Sequence, residues 1–481
     1  MLQSKDINKI WELKTGFTHR WLEPDFIMSS LKSFSFSDLC KCIGPVKVKG
    51  YSFQFIFTVL VSLPFIDSST VNSTVNGFIK HHIEAGKDTF YRLKNNQGIC
   101  WRVILWLFAV KFKKLTEKDN GNTHGVKCII FDDTVITKTG KFIEKVSRVW
   151  DHVSHGYVLG FKLLLMGYWD GTSFIPLDFS LHREKGNNKE KPFGLKKKYY
   201  RKQYQKRRSP GSFTHERSKE TDMSKIDCAI KMFKRAISHG FNADYVLMDS
   251  WFTCEAFINA VLSVKKRVHL IGMYKTPRTK FSFRDETYTH SELRNKLGKA
   301  KRCRKLGFHY KEASVVYKDK EVKLFFSRQG KNGKWKVFIC TDMGLSFIKM
   351  IEIYQIRWSI EVFFKEAKQL LMLGKCQSND FDAQIADATI TMIQHILLTC
   401  KFRYETYESK TGMFKQIKEQ AIMQRLNQRL WGLFLELVNI IKEIFNEVDQ
   451  MQLFERVITD EKVYKKISLL LAPPENIKNV D

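Results

Sequence analysis

The stretch YQIRWSIEVFFKEAK, Tyr354 to Lys368, decides how the chain is read. Tyr354, Arg357, Glu361 and Lys368 stand at offsets 0, 3, 7 and 14. At about 100° per residue these positions fall within an arc of roughly 60° on an α-helix. One carboxylate then shares a face with two cations and a phenol. Ile353, Ile356, Ile360, Phe363, Phe364 and Ala367 lie mostly elsewhere, free for burial. Such a face suits a metal-binding carboxylate flanked by donors for phosphate oxygens. Trp358-Ser359 is the expected weak point, with Ser359 as a possible N-cap of a second helix. Read by itself, the stretch also fits a solvated amphipathic helix with an ordinary salt bridge.

The spacing Tyr-x2-Arg-x3-Glu-x6-Lys resembles the signature of a large group of bacterial insertion-sequence transposases of the DDE class, insertion-sequence family four. Thr341-Asp342 and Ile351 to Tyr354 also look like that family's approach to the motif. The resemblance implies a ribonuclease-H-like fold in which two Asp and one Glu hold divalent metals. The rest of the chain must then supply two aspartates, each at a strand end.

Patterning supplies them. Val126 to Phe131 is a short apolar run closing on Asp132-Asp133-Thr134, and Tyr245 to Met248 closes on Asp249-Ser250-Trp251. Ligands of open α/β sheets bind beyond such strand ends. Between them come strand-like runs at Tyr157 to Tyr168 and Phe174 to Leu181, joined by a turn at Trp169 to Thr172, then helical spacing from Met223 to His239. Thr253 is expected to cap a helix running through Val264. The order strand–strand–strand–helix–strand–helix is ribonuclease-H-like. The expected fold class is therefore α/β: a ribonuclease-H-like mixed sheet flanked by helices. A β-rich insertion separates the second Asp from the Glu, and the N- and C-terminal regions are helical.

Asp132, Asp249 and Glu361 are the expected catalytic and metal-binding residues. Two divalent ions held by such carboxylates activate an oxygen nucleophile and stabilise the leaving oxygen of a phosphodiester. Hard oxygen ligands favour Mg²⁺, with Mn²⁺ as a substitute. Asp132 is preferred over Asp133 because the family's first acid is commonly followed two positions later by Thr or Ser, here Thr134. Only one of the pair points to a given sheet face. The resemblance gives Tyr354, Arg357 and Lys368 the role of holding phosphates at the transposon end.

The formal charge is +31, from 81 Lys+Arg against 50 Asp+Glu, which calls for a polyanionic partner. The densest basic segment is Arg183 to Arg208, where Tyr199, Tyr200 and Tyr204 are interleaved with cations. Lys196, Lys197, Lys198, Arg201, Arg207 and Arg208 are its expected DNA contacts, low in sequence specificity.

The 481 residues, 43% hydrophobic and 13% aromatic, argue for several folded domains and against disorder. The expected division is a helical DNA-binding region over 1–121 and a catalytic core over 122–264 with a basic loop at 183–221. A β-rich insertion follows over 265–344, the core resumes over 345–400 with the Glu helix, and 401–481 is helical and suited to self-association. Lys87 to Leu93 looks like a DNA-contacting segment of the same transposases, although no helix-turn-helix spacing is evident. Strand-like runs are expected at Val268 to Met273, Ala313 to Tyr317, Val322 to Ser327 and Trp335 to Thr341, with a hairpin turn at Gly330 to Gly333.

No signal-peptide core opens the sequence, and the longest apolar runs fall short of the roughly 20 residues that span a bilayer. The ten cysteines lack CxxC spacing, which points to free thiols in a cytoplasmic, nucleoid-associated protein. His152 and His155 lack acidic or Cys partners for zinc. Asp170 and Asp178 read as turn and strand-face residues. Trp251 beside Asp249 suits base stacking or core packing.

The function these features predict is a transposase that binds the terminal inverted repeats of its own element. It cleaves DNA in a metal-dependent way and joins the ends to target DNA, with a homodimer pairing two ends. The rival readings are a metal-dependent nuclease of the same fold and a catalytically silent DNA-binding descendant.

Overall fold

The structure is a computed structural model. It describes residues 25–423 except 44–49, 67–69, 79–84, 120–124, 265–266, 276–277 and 331, and further on only 437, 459–460 and 462–463. The helix expected from Trp431 to Leu453 lies outside the described residues apart from Leu437. The chain forms two compact units, one of residues 1–93 and 404–481 and one of residues 94–403.

In the first unit, helices Asp25–Ser33, Phe36–Ile43 and Phe53–Ser62 gather an aromatic core. Phe26 packs edge-on against Phe65, and Phe36 and Phe53 both stack on Phe57. The Ser52 hydroxyl caps the third of these helices by accepting the Phe55 N–H. Lys87 to Leu93 lies in a helix that ends at Lys94.

The second unit is built on one mixed sheet of twelve strands. These are β1 Cys128–Thr137, β2 Ser147–Asp151, β3 Gly156–Trp169, β4 Phe174–His182, β5 Tyr245–Met248 and β6 His269–Tyr274. Then come β7 Lys280–Phe283, β8 Glu286–Thr289, β9 Lys301–Cys303, β10 Phe308–Tyr317, β11 Lys320–Gln329 and β12 Lys336–Cys340. Its heart is β4-β3-β1-β5-β6, where β1 is antiparallel to β3 and parallel to β5, and β5 is parallel to β6. Three antiparallel strands followed by two parallel ones are consistent with the ribonuclease-H-like expectation. β6, inside the segment expected as an insertion, extends this heart directly, and β12, β11 and β10 continue the same sheet antiparallel.

Two local expectations need correction. β1 does not stop at Asp132 but runs on to Thr137, because β3 pairs with it along its whole length. The parallel partner β5 stops at Met248, so beyond Phe131 only one edge of β1 is covered. The second correction concerns Thr253. The helix there spans Glu255–Leu262, its cap position is Cys254, and the Thr253 hydroxyl instead donates to the Asp249 carbonyl at 2.9 Å. The chain after β5 folds back in a turn, with Phe252 N–H on the same carbonyl.

Helices cover the sheet. We label α1 Trp101–Asp119, α2 Phe213–Glu220, α3 Lys225–Ser238, α4 Glu255–Leu262, α5 Phe347–Gln355, α6 Trp358–Gln369 and α7 Phe381–Tyr404. α7 is buried almost all round from Phe381 to Thr399. No helix among the described residues is long and apolar enough to cross a membrane. Cys40, Cys100, Cys128, Cys228, Cys254, Cys303, Cys340, Cys376 and Cys400 are free thiols.

A buried charge cluster fastens α1, α2 and α3 to β4. Asp178, with 1% of its side chain exposed, accepts from Arg102 at 3.0 Å and Arg235 at 2.7 Å. Arg102 and Arg217 also bind Glu220, at 2.7 and 2.9 Å. Burial alone would raise the Asp178 carboxyl, but the three arginines hold it below the usual carboxylate range. Asp170 is a turn residue, accepting the N–H groups of Thr172 and Ser173.

Candidate active site

The register of β1 on β5 creates the site. Phe131 pairs with Met248, so the next residues, Asp132 and Asp249, follow side by side where the parallel pairing ends. Gly272 on β6, opposite Met248, keeps the second of these ends in place. A Cβ there would stand 2.2 Å from Thr253 Oγ1, the group that holds the Asp249 carbonyl. Only glycine leaves that room.

The α5–α6 segment closes over the strand ends. The expected break at Trp358-Ser359 falls earlier, at Ile356-Arg357. Arg357 takes the cap position of α6 with helical dihedrals, φ −52° and ψ −31°, and Ser359 lies inside the helix. The junction is a tightened turn of i→i+3 bonds, Arg357 N–H to Tyr354 O and Ile360 N–H to Arg357 O. Such a turn needs no side-chain cap.

All four motif residues reach the strand ends or one another. The Tyr354 hydroxyl donates to the Met248 carbonyl at 3.2 Å. Arg357 forks, with Nη1 at 2.8 Å from Asp132 Oδ2 and Nη2 at 2.5 Å from Glu361 Oε1. Lys368 Nζ donates to Thr134 Oγ1 at 2.7 Å. Asp132 Oδ1 accepts the Asp133 N–H, and Asp249 Oδ1 accepts the Ser250 N–H.

Burial pushes the Asp132 carboxyl up to about 7, while Arg357 and the Asp133 N–H pull it down and Asp133 and Asp249 add to the rise. Burial works against the Arg357 charge, and Tyr354, Asp132 and Glu361 more than offset it. Burial also raises the Tyr354 phenol and lowers the Lys368 ammonium. Among the described residues no group of three His, Cys, Asp or Glu side chains is gathered closely enough to hold a metal ion. The donor set itself suits a hard cation, and a guanidinium already bridges two of its members. His152 and His155 lie in the exposed turn between β2 and β3, not on a helix.

Asp133 is held differently. Lys225, the first residue of α3, pairs with its Oδ2, and Lys162 lies 3.9 Å from Oδ1. Lys225 Nζ also sits 3.9 Å from the ring centre of Trp251, whose side of the loop is half exposed. Lys225 and Lys162 carry no motif spacing relative to Asp133, so sequence alone did not single them out.

His182 belongs to the same neighbourhood. Its Nε2 lies 2.7 Å from Ser180 Oγ, and burial and Lys225 lower its pKa to about 4. A folded pKa below the ordinary value of about 6.5 means the unfolded chain binds the extra proton. The stability carried by neutral His182 is therefore complete above about pH 6.5 and is lost as pH falls toward about 4. The expected loss is about 3 kcal/mol. It is read as the difference in unfolding free energy between wild type and His182→Gln at pH 7 and pH 4. A difference independent of pH would refute it.

The basic segment divides by burial. Lys196, Lys197, Lys198, Arg201 and Arg207 are exposed. Arg208, expected among the DNA contacts, has only 4% of its side chain exposed and donates to both oxygens of Glu144 and to Asp382. Lys206 binds Asp380 at 2.9 Å, and Gln203 donates to the Val146 carbonyl. These inward groups anchor the segment. Tyr199 lies beside Phe142 and under the Lys141 and Lys198 ammonium groups.

Residues 212–397 match the family model of the transposase DDE domain, a span that includes Asp249 and the whole Tyr-Arg-Glu-Lys motif. Among solved structures, the chain is similar to a piggyBac transposase in a synaptic complex with hairpin DNA. The identity is 11%, over 94% of this chain and 84% of that one, with a TM-score of 0.43. A NurA nuclease from Sulfolobus solfataricus is 13% identical over 60% of this chain and 83% of its own, with a TM-score of 0.21. At these scores neither likeness carries weight. No curated protein matches. The family-model match supports a DDE transposase.

Proposed function

We propose that the chain is a transposase that binds the terminal inverted repeats of its own element, cuts DNA there and transfers the ends to target DNA. The observation that carries the reading is the register that sets Asp132 beside Asp249 beneath the Tyr354–Lys368 segment. Asp132, Asp249 and Glu361 would hold divalent metal, Mg²⁺ or Mn²⁺. Bound there, the metal supplies Lewis-acid stabilisation and an activated oxygen nucleophile.

The chain's own groups do the rest. Lys368 and Arg357 offer a point charge and a planar fork to phosphate oxygens. Tyr354, tied to the end of β5, fixes the height of the helix junction over the strand ends. Lys196, Lys197, Lys198, Arg201 and Arg207 lie along the DNA backbone, while Arg208 serves as their anchor. In this reading residues 1–121 bind DNA, 265–344 assist in handling the DNA end, and a homodimer pairs two ends in the cytoplasm.

The test is a labelled duplex carrying the DNA that flanks the gene, incubated with wild type or Glu361→Gln in Mg²⁺ or EDTA. The expected result is metal-dependent cutting at the repeat boundary by wild type alone. Binding by both proteins with cutting by neither would replace the reading with a silent DNA-binding protein. Cutting without joining to target DNA would leave a nuclease.

A further inference from the structure

We propose that Arg357 is the resident counter-cation of the acid centre, and that divalent metal and Arg357 compete for Asp132 and Glu361. The inference rests on the metal-binding role proposed above for those acids.

One guanidinium takes an oxygen of each carboxylate, at 2.8 and 2.5 Å. Among the described residues it is the cation in ion-pair contact with either acid. Without it, Asp132 would stand beside Asp249 with no paired cation and Glu361 would lose its own partner, which burial and like charge oppose. The guanidinium therefore lets the fold form before metal arrives. It also blocks the metal, because a carboxylate oxygen held in a charge-assisted hydrogen bond is a poor ligand until that bond breaks.

The position of Arg357 allows an exchange. It lies at the turn between α5 and α6, where its side chain caps nothing, so it can leave the acids without unwinding either helix. A phosphate close to the turn gives the freed fork an alternative partner with the same bidentate geometry. DNA and metal then assist each other: an anion that draws Arg357 away unblocks the acids, and metal on the acids releases Arg357 for the anion. Linkage makes the assistance equal in both directions.

The experiment titrates Mn²⁺ into full-length wild type, Arg357→Gln, Arg357→Lys and Glu361→Gln, reading free Mn²⁺ by electron paramagnetic resonance, with no turnover involved. Thermal unfolding is followed in parallel. Arg357→Gln is expected to melt lower in EDTA, to bind Mn²⁺ about tenfold tighter than wild type, and to gain more in melting temperature from it. Arg357→Lys, which reaches one acid at a time, is expected to fall between, and serves if the Gln variant does not fold. A duplex is expected to tighten Mn²⁺ binding by wild type and to leave Arg357→Gln unchanged. Equal or weaker Mn²⁺ binding by the Arg357 variants, with Glu361→Gln weaker than wild type, overturns the competition and leaves the metal centre standing. No Mn²⁺ binding by any of the four proteins overturns both.

Discussion

Asp132→Asn is expected to lower metal-dependent cleavage by about 10³-fold or more, while Asp133→Asn stays within about tenfold of wild type. The two residues are neighbours of the same type on one strand, so the contrast isolates orientation. Asp132 lies beside the end of β5 and faces the Arg357 fork. Asp133 is engaged by Lys225 and Lys162. In the metal-binding role proposed for Asp132, its loss removes several kcal/mol of transition-state stabilisation, and each 1.36 kcal/mol is about a factor of ten in rate. Losing the Asp133 charge leaves two lysines less well paired, an effect on stability more than on chemistry. Cleavage of the labelled duplex under single-turnover conditions reads both. Equal losses in the two variants would sink the assignment.

Asp178→Ala is expected to destabilise the sheet unit by about 3–5 kcal/mol, the usual result of removing one partner from a buried ion pair. The carboxylate is almost fully buried and neutralises Arg102 and Arg235 directly, with Arg217 at 3.9 Å. Once it is gone, Glu220 remains the paired carboxylate of Arg102 and Arg217, and Arg235 loses its carboxylate partner. Asp178→Asn keeps the shape and part of the hydrogen bonding, and is expected to lose less. Urea unfolding of both variants decides the matter: a loss below about 1 kcal/mol in Asp178→Ala would show that the arginines find water without cost.

The sequence made the two acid positions legible because apolar runs that close on acids are local signals. Phe131-Asp132 and Met248-Asp249 each need only a handful of residues to be seen. The helix junction was legible to within two residues, since Arg357 and Ser359 are both near a real turn. The continuation of β1 to Thr137 was not, because it depends on β3 covering an edge that acids and threonines do not advertise. β2 was missed for a related reason: Ser147–Asp151 is short and mixed in polarity. The fate of Arg208 was the least legible. Its carboxylate partners lie 64 and 174 residues away, so nothing in its local surroundings separates an anchor from an exposed contact. Charge density marks a basic segment; only packing tells which of its cations face outward.

The separation between partners has a consequence for how the protein comes into being. Arg357 meets Asp132 across 225 residues, and the β1–β5 pairing spans more than a hundred. Contacts so far apart in sequence form late, after the intervening loops have closed. During synthesis the first aspartate emerges long before its partners, and the segment after β12 must leave the ribosome before the centre can assemble. A nascent chain that already carries its basic segment thus still lacks the Arg357 contacts to Asp132 and Glu361. The arrival of one short helical segment is what completes the cluster around Asp132.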